Sequence, residues 1–250
     1  MWQSGYRIKL IFGILLCTVS CQEVFAAIAL DRTRVIFDGS QKSVTLSVSN
    51  QNKQLPYLAQ AWVEDDSGNK IQGPLLALPP VQRIEPGKLS QVKIQSLPSV
   101  RQLPQDRESI FYFNLREIPP RSNKPNTLQI ALQTRIKMFY RPASIMLTQA
   151  EMATPWQEKL TLEKIDGKYK INNPTPYFIT IVAASRSKKD GVDSSFEPFM
   201  IAPKSSYFLK GESIARLGPA PVLTYINDYG GRPKVTFHCS GNQCSVTPEK

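Results

Sequence analysis

Polar and apolar residues alternate with period two along most of the chain, the spacing of strands with one buried face. Over residues 43–50, Val44, Leu46 and Val48 fall on one side. Residues 58–64 form a second candidate strand, ending at the acidic turn Asp65-Asp66-Ser67-Gly68. Residues 91–95 follow the turn Glu85-Pro86-Gly87, and residues 109–115 are rich in aromatic side chains until Pro119-Pro120 stops them. Residues 127–140 make the longest uninterrupted strand-like segment. Leu128, Ile130, Leu132, Ile136 and Met138 share one face there, and Lys137 projects from the other. Residues 142–156 have no clear period and contain Pro142 and Pro155, so a domain junction is expected there. Strand signals resume at residues 160–164, 169–171, 178–182 and 235–238. Short strands separated by turns, over about 100 residues per half, predict two β-sandwiches and an all-β fold. No stretch of useful length carries a helical period.

The N-terminus departs from this pattern. Arg7 and Lys9 precede an apolar run from Leu10 to Val19, and Val24-Phe25-Ala26 offers small residues for cleavage near Ala26. That is the layout of a secretory signal peptide over residues 1–26, and the run is too short to span a bilayer. A lipoprotein would carry its lipid on Cys21, but Thr18 is a poor residue three places before it. The chain has a net charge of +11; removing Arg7, Lys9 and Glu23 with the leader leaves +10. Cleavage also removes Cys17 and Cys21, leaving Cys239 and Cys244. In an exported protein such a close pair implies a disulfide. Gly241-Asn242 between them is a tight-turn signal, so the pair is expected to staple a hairpin. A zinc half-site is the alternative reading, for which only His238 could add a nitrogen ligand.

Catalytic chemistry finds little support. His238 is the single histidine, and no nucleophile elbow, phosphate-binding loop or dinucleotide fingerprint is present. An enzyme is not expected, nor a cofactor. Lysine and arginine are scattered and the chain is exported, which disfavours nucleic acid as a partner. The informative segment is 127–140. As an ordinary sandwich strand it needs no further role. At a sheet edge, its free backbone groups could pair with another chain and its apolar row could fill that partner's groove. A secreted adhesin or carbohydrate binder is the competing reading. It requires an exposed aromatic platform, which Trp62, Trp156 and the scattered tyrosines do not obviously form.

Several stretches together carry a family likeness. They are residues 30–37, the run Pro56-Tyr57-Leu58-Ala59-Gln60-Ala61-Trp62, and residues 105–120 with Glu117-Ile118-Pro119-Pro120 at their end. In the second half they are Asn173-Pro174-Thr175-Pro176-Tyr177 and residues 225–231. With the 128–142 segment, these resemble the PapD-type periplasmic pilus chaperones over essentially the whole mature chain. The resemblance implies two immunoglobulin-like domains in an L-shaped arrangement with a cleft between them, at residues 27–146 and 147–250. It implies a periplasmic protein that binds pilus subunits by donor-strand complementation and hands them to an outer-membrane usher. Arg34 and Lys137 match the family's anchor for the subunit's terminal carboxylate. Leu128, Ile130 and Leu132 match the donor strand, and Glu108, Arg141 and Asp228 match a buried interdomain charge cluster. The loop from Arg121 to Asn126 is short and resembles the branch that serves rod-like pili. A self-capping homodimer is a further possibility for the free protein.

Overall fold

The computed structural model describes residues 26–152, 154–191 and 196–247, and side chains for all of these except 152 and 211–215. The expected leader, with Cys17 and Cys21, lies outside the described residues apart from Ala26. Two sandwiches follow each other along the chain. The first uses β1 (Ile28–Leu30), β2 (Arg34–Asp38), β3 (Ser43–Asn50), β4 (Tyr57–Glu64), β5 (Lys70–Ile71), β6 (Leu75–Leu78), β7 (Val81–Ile84), β8 (Leu89–Ser96), β9 (Ser109–Ile118) and β10 (Gln133–Arg141). The second uses β11 (Thr161–Ile165), β12 (Lys168–Asn173), β13 (Ile179–Ser185), β14 (Phe199–Ile201), β15 (Ser205–Ser213), β16 (Val222–Ile226), β17 (Lys234–Ser240) and β18 (Gln243–Val246).

In the first sandwich, one sheet has the order β1-β3-β8-β6 and the other β2-β10-β9-β4-β5, with β7 also on β4. Alternation explains the layering. Leu46 and Val48 of β3, Ala59, Ala61 and Val63 of β4, and Phe111, Phe113 and Leu115 of β9 all turn into one core. In the second sandwich the order is β14-β13-β16-β17-β18-β11-β12-β15. Only residues 202–204 separate β14 from β15, so the two ends of this path lie together and it closes around its own core. The hairpin β17–β18 pairs Cys239 with Cys244, which form the expected disulfide; Gly241 supplies the left-handed turn residue at φ 60°.

Strand β10 departs from the sequence expectation. Pairing begins at Gln133, so residues 127–132 are not part of a sheet. The reason is the absence of a neighbour. Strand β9 stops at Ile118 before two prolines, which have no N–H to donate. The last rung on that side is Glu117 N–H to Leu132 O. On the other side, β2 begins at Arg34, opposite Lys137. The gap between paired strands is therefore residues 119–132, wider than the expected Arg121–Asn126 loop.

The C-terminal end of β10 is buried on both faces, from Met138 to Arg141. One face enters the first core. The other meets the second sandwich, where Phe139 lies against Phe178 with ring centroids 5.7 Å apart. Further bonds cross the junction, including Glu108 N–H to Pro176 O and the Tyr177 hydroxyl to Ile145 O. The unpatterned segment at 142–156 folds into short helical turns between the two sandwiches.

Candidate functional site

Arg34 and Lys137 are direct partners in the parallel pairing of β2 with β10. Val35 and Phe37 occupy the core side of β2, and Ile136 and Met138 that of β10. The two cations therefore share the opposite face, towards the second sandwich. Arg34 donates through Nη1 to Ile226 O at 3.3 Å, and Lys137 Nζ donates to Thr180 Oγ1 at 3.3 Å. The Arg34 Nε is buried and has no partner. Among the described residues, neither cation forms an ion pair with a carboxylate.

The electrostatics follow from that geometry. Burial lowers the pKa of Arg34, and attraction from Asp228 and Glu108 offsets part of the effect. Burial also lowers the pKa of Lys137, and the like charge of Arg34 lowers it further. Two half-buried like charges side by side raise each other's energy unless an anion joins them. A bound carboxylate would satisfy both, with charge-assisted hydrogen bonds.

A second charged group is complete in itself. Arg141 reaches Glu108 Oε1 at 2.7 Å through Nη2, and its Nε donates to the same oxygen at 2.8 Å. Its Nη1 and Nη2 donate to the two oxygens of Asp228 at 2.9 and 3.2 Å. The Phe178 N–H donates to Glu108 Oε2 at 2.7 Å. The guanidinium also lies near the faces of Trp156 and Tyr177, 5.3 and 4.8 Å from the ring centroids. This brings together Glu108, Arg141 and Asp228 across the two sandwiches. The aromatic contacts were not read from the sequence, although Tyr177 falls within one of its distinctive stretches.

The third group is the unpaired segment before β10. Leu128 is 83% exposed, Ile130 64% and Leu132 39%. Alternation put them on one apolar row; the structure leaves that row in solvent beside a free backbone edge. Burial of these side chains needs something from outside the described residues. The aromatic platform of the adhesin reading does not materialise at Trp62 or Trp156. Lys70 and Arg116 lie over the Trp62 ring, and Arg141 lies over Trp156. His238 is exposed on β17 beside the disulfide, and no cluster of metal-binding side chains occurs among the described residues.

Sequence and fold comparisons agree with this arrangement. Residues 27–146 match the N-terminal domain family described as pili and flagellar-assembly chaperone, and residues 155–237 match the C-terminal domain of pili assembly chaperones. The chain belongs to the PapD-like pilus assembly chaperone family. It is 54% identical to the chaperone protein PapD of Escherichia coli over 226 residues, covering 90% of this chain and 92% of that one. It is 48% identical to the probable fimbrial chaperone YfcS of Escherichia coli K12, covering 94% and 92%. The solved periplasmic chaperone SfaE superposes with a TM-score of 0.65 at 30% identity, covering 84% of this chain and 98% of that one. The fold also resembles that of a solved complex of the Salmonella enterica SafA pilin with the SafB chaperone, with a TM-score of 0.68 at 23% identity, covering 86% and 98%.

Proposed function

We propose that Arg34 and Lys137 clamp the terminal carboxylate of a pilus subunit, while residues 128–132 complete the subunit's fold as a lent strand. The observation that carries this reading is the adjacent cation pair, half-buried and without an anionic partner. A subunit sandwich missing one strand exposes apolar side chains and unpaired backbone groups. Leu128, Ile130 and Leu132 enter that groove, each contributing about 1.5–3 kcal/mol when fully buried. Backbone rungs to residues 127–132 set the strand direction, and the clamp sets its register, because a one-residue slip would turn the apolar row outward.

The first domain, residues 27–146, carries both elements; the second, residues 147–250, closes the far side of the clamp through Thr180 and Ile226. Capture involves no bond-making step, so neither catalysis nor a cofactor enters. The protein acts in the periplasm after losing its leader near Ala26. It delivers its cargo to an outer-membrane usher, and a second copy caps the exposed row when cargo is absent.

Native mass spectrometry of the protein purified from the periplasm tests the clamp, with Lys137→Ala beside wild type. The expected result is a one-to-one complex with a small subunit that disappears in the variant. An equally abundant complex in Lys137→Ala would reject the clamp.

A further inference from the structure

Two short stretches of the second sandwich each touch both charged groups. In one, the Phe178 N–H donates to Glu108, and two residues later Thr180 accepts from Lys137. In the other, Ile226 O accepts from Arg34, and two residues later Asp228 accepts from Arg141. Two residues of extended chain span about 7 Å. The same pieces of backbone thus hold the cation pair and the charge cluster within roughly one Debye length, about 8 Å at physiological salt.

The charges do not balance within either group. One arginine faces two carboxylates in the cluster, and two cations face no carboxylate in the pair. Glu108 is the enclosed carboxylate, its side chain 2% exposed against 23% for Asp228. Burial pushes the Glu108 pKa up to about 7, and the charge of Asp228 adds to the rise; Arg141 and the Phe178 N–H oppose it. The charged and titratable groups around Glu108 are Arg141 from β10, Asp228 from the turn before β17, Tyr177 at the entry to β13 and Arg34 from β2. Asp106 and Arg107, its neighbours in sequence, pair with each other at the surface, where Asp106 also meets Lys204.

We infer that Glu108 takes up a proton when a carboxylate seats on Arg34 and Lys137, so that capture strengthens as pH falls through neutrality. This rests on the clamp reading above. Ionised Glu108 lies within electrostatic reach of Arg34 and offsets part of its positive charge. It therefore weakens the field that draws in a carboxylate. Protonation removes that opposition and leaves Asp228 to hold Arg141. Linkage makes the effect reciprocal: the arriving carboxylate raises the proton affinity of Glu108 by the same factor.

The test uses an N-acetylated peptide of alternating Val and Thr with a free C-terminal carboxylate, and its amide twin. Neither carries a group that titrates near neutrality. Calorimetry in two buffers of different ionisation enthalpy should show partial proton uptake at about pH 7 when the acid peptide binds. The acid peptide should bind about five-fold tighter near pH 6 than near pH 8, and the amide should show no pH dependence. Glu108→Gln should remove both the uptake and the pH dependence. Where that variant does not fold, proton uptake by the wild type decides the matter. Preference for the acid peptide with flat pH dependence and no uptake would overturn the linkage and leave the clamp intact. Uptake that persists in folded Glu108→Gln would overturn it also. Equal binding of acid and amide would overturn the clamp itself.

Discussion

Arg34 and Arg141 stand on adjacent strands of one sheet and face the same neighbouring domain, yet their surroundings differ in kind. Arg141 has two carboxylates, two aromatic faces and bonds from three of its nitrogens. Arg34 has one carbonyl, a distant ring, a cationic neighbour and a buried Nε with no acceptor. The first arginine is satisfied by its own chain and holds two domains together. The second is left incomplete by the described residues, and in the clamp proposed above an arriving carboxylate completes it. A buried charge of the first sort is judged by what its removal leaves behind; one of the second sort is a candidate binding site.

The largest effect that would break this contrast is on stability. Arg141→Ala strands two carboxylates at the junction and should destabilise the protein by about 3–5 kcal/mol in denaturant titration. Lys137→Ala should leave the denaturation midpoint essentially unmoved, because relief of repulsion with Arg34 offsets the lost bond to Thr180. It should weaken subunit binding about 10- to 100-fold, the worth of a charge-assisted hydrogen bond. A large stability loss in Lys137→Ala would mean that the cation pair belongs to the scaffold after all.

Ile130→Ser sharpens the contrast from the apolar side. It should cost subunit binding about 1.5–3 kcal/mol. The same change should alter the folding stability of the monomer by no more than about 0.5 kcal/mol, because Ile130 is exposed in the single chain. Surface plasmon resonance and a melting curve on the same preparation separate the two. The smallest effect concerns pH. Glu108 is held at about 7 in the fold against an ordinary value of 4.5, so the folded chain binds this proton more tightly than the unfolded chain. Its contribution to stability therefore falls as pH rises from about 4.5 to about 7 and stays level above that. Melting curves of wild type and Glu108→Gln across this window should converge at the acid end and part towards neutrality.

Much of the first sandwich could be read from alternation alone, because β3, β4 and β8 each bury one face and leave the other partly or fully open; β9 buries Ile110 and Asn114 on its second face as well and was legible from its aromatic run. Strand β16 was less legible. Val222 to Tyr225 are all buried, Thr224 included, and a strand buried on both faces carries no polar-apolar period. Strands β5 to β7 are short and interrupted by prolines, which hides them from any periodic reading. The 127–140 segment teaches the opposite lesson. Its alternation is continuous, yet pairing stops at Gln133 because ladder formation depends on a neighbour that local pattern does not encode. Leu128, Ile130 and Leu132 have strand chemistry without a strand partner, and the role proposed for them came, in sequence, from family likeness. The clamp and the cluster were reached in sequence through family likeness. Their defining difference, an unpaired cation beside a fully paired one, exists only in three dimensions.

The most direct test of that difference is a cycle of four affinities: a pilus subunit with its natural C-terminal carboxylate and the same subunit amidated, each against wild type and Lys137→Ala. The account predicts that wild type prefers the carboxylate form and that this preference largely vanishes in the variant. An equal preference in both proteins would contradict it.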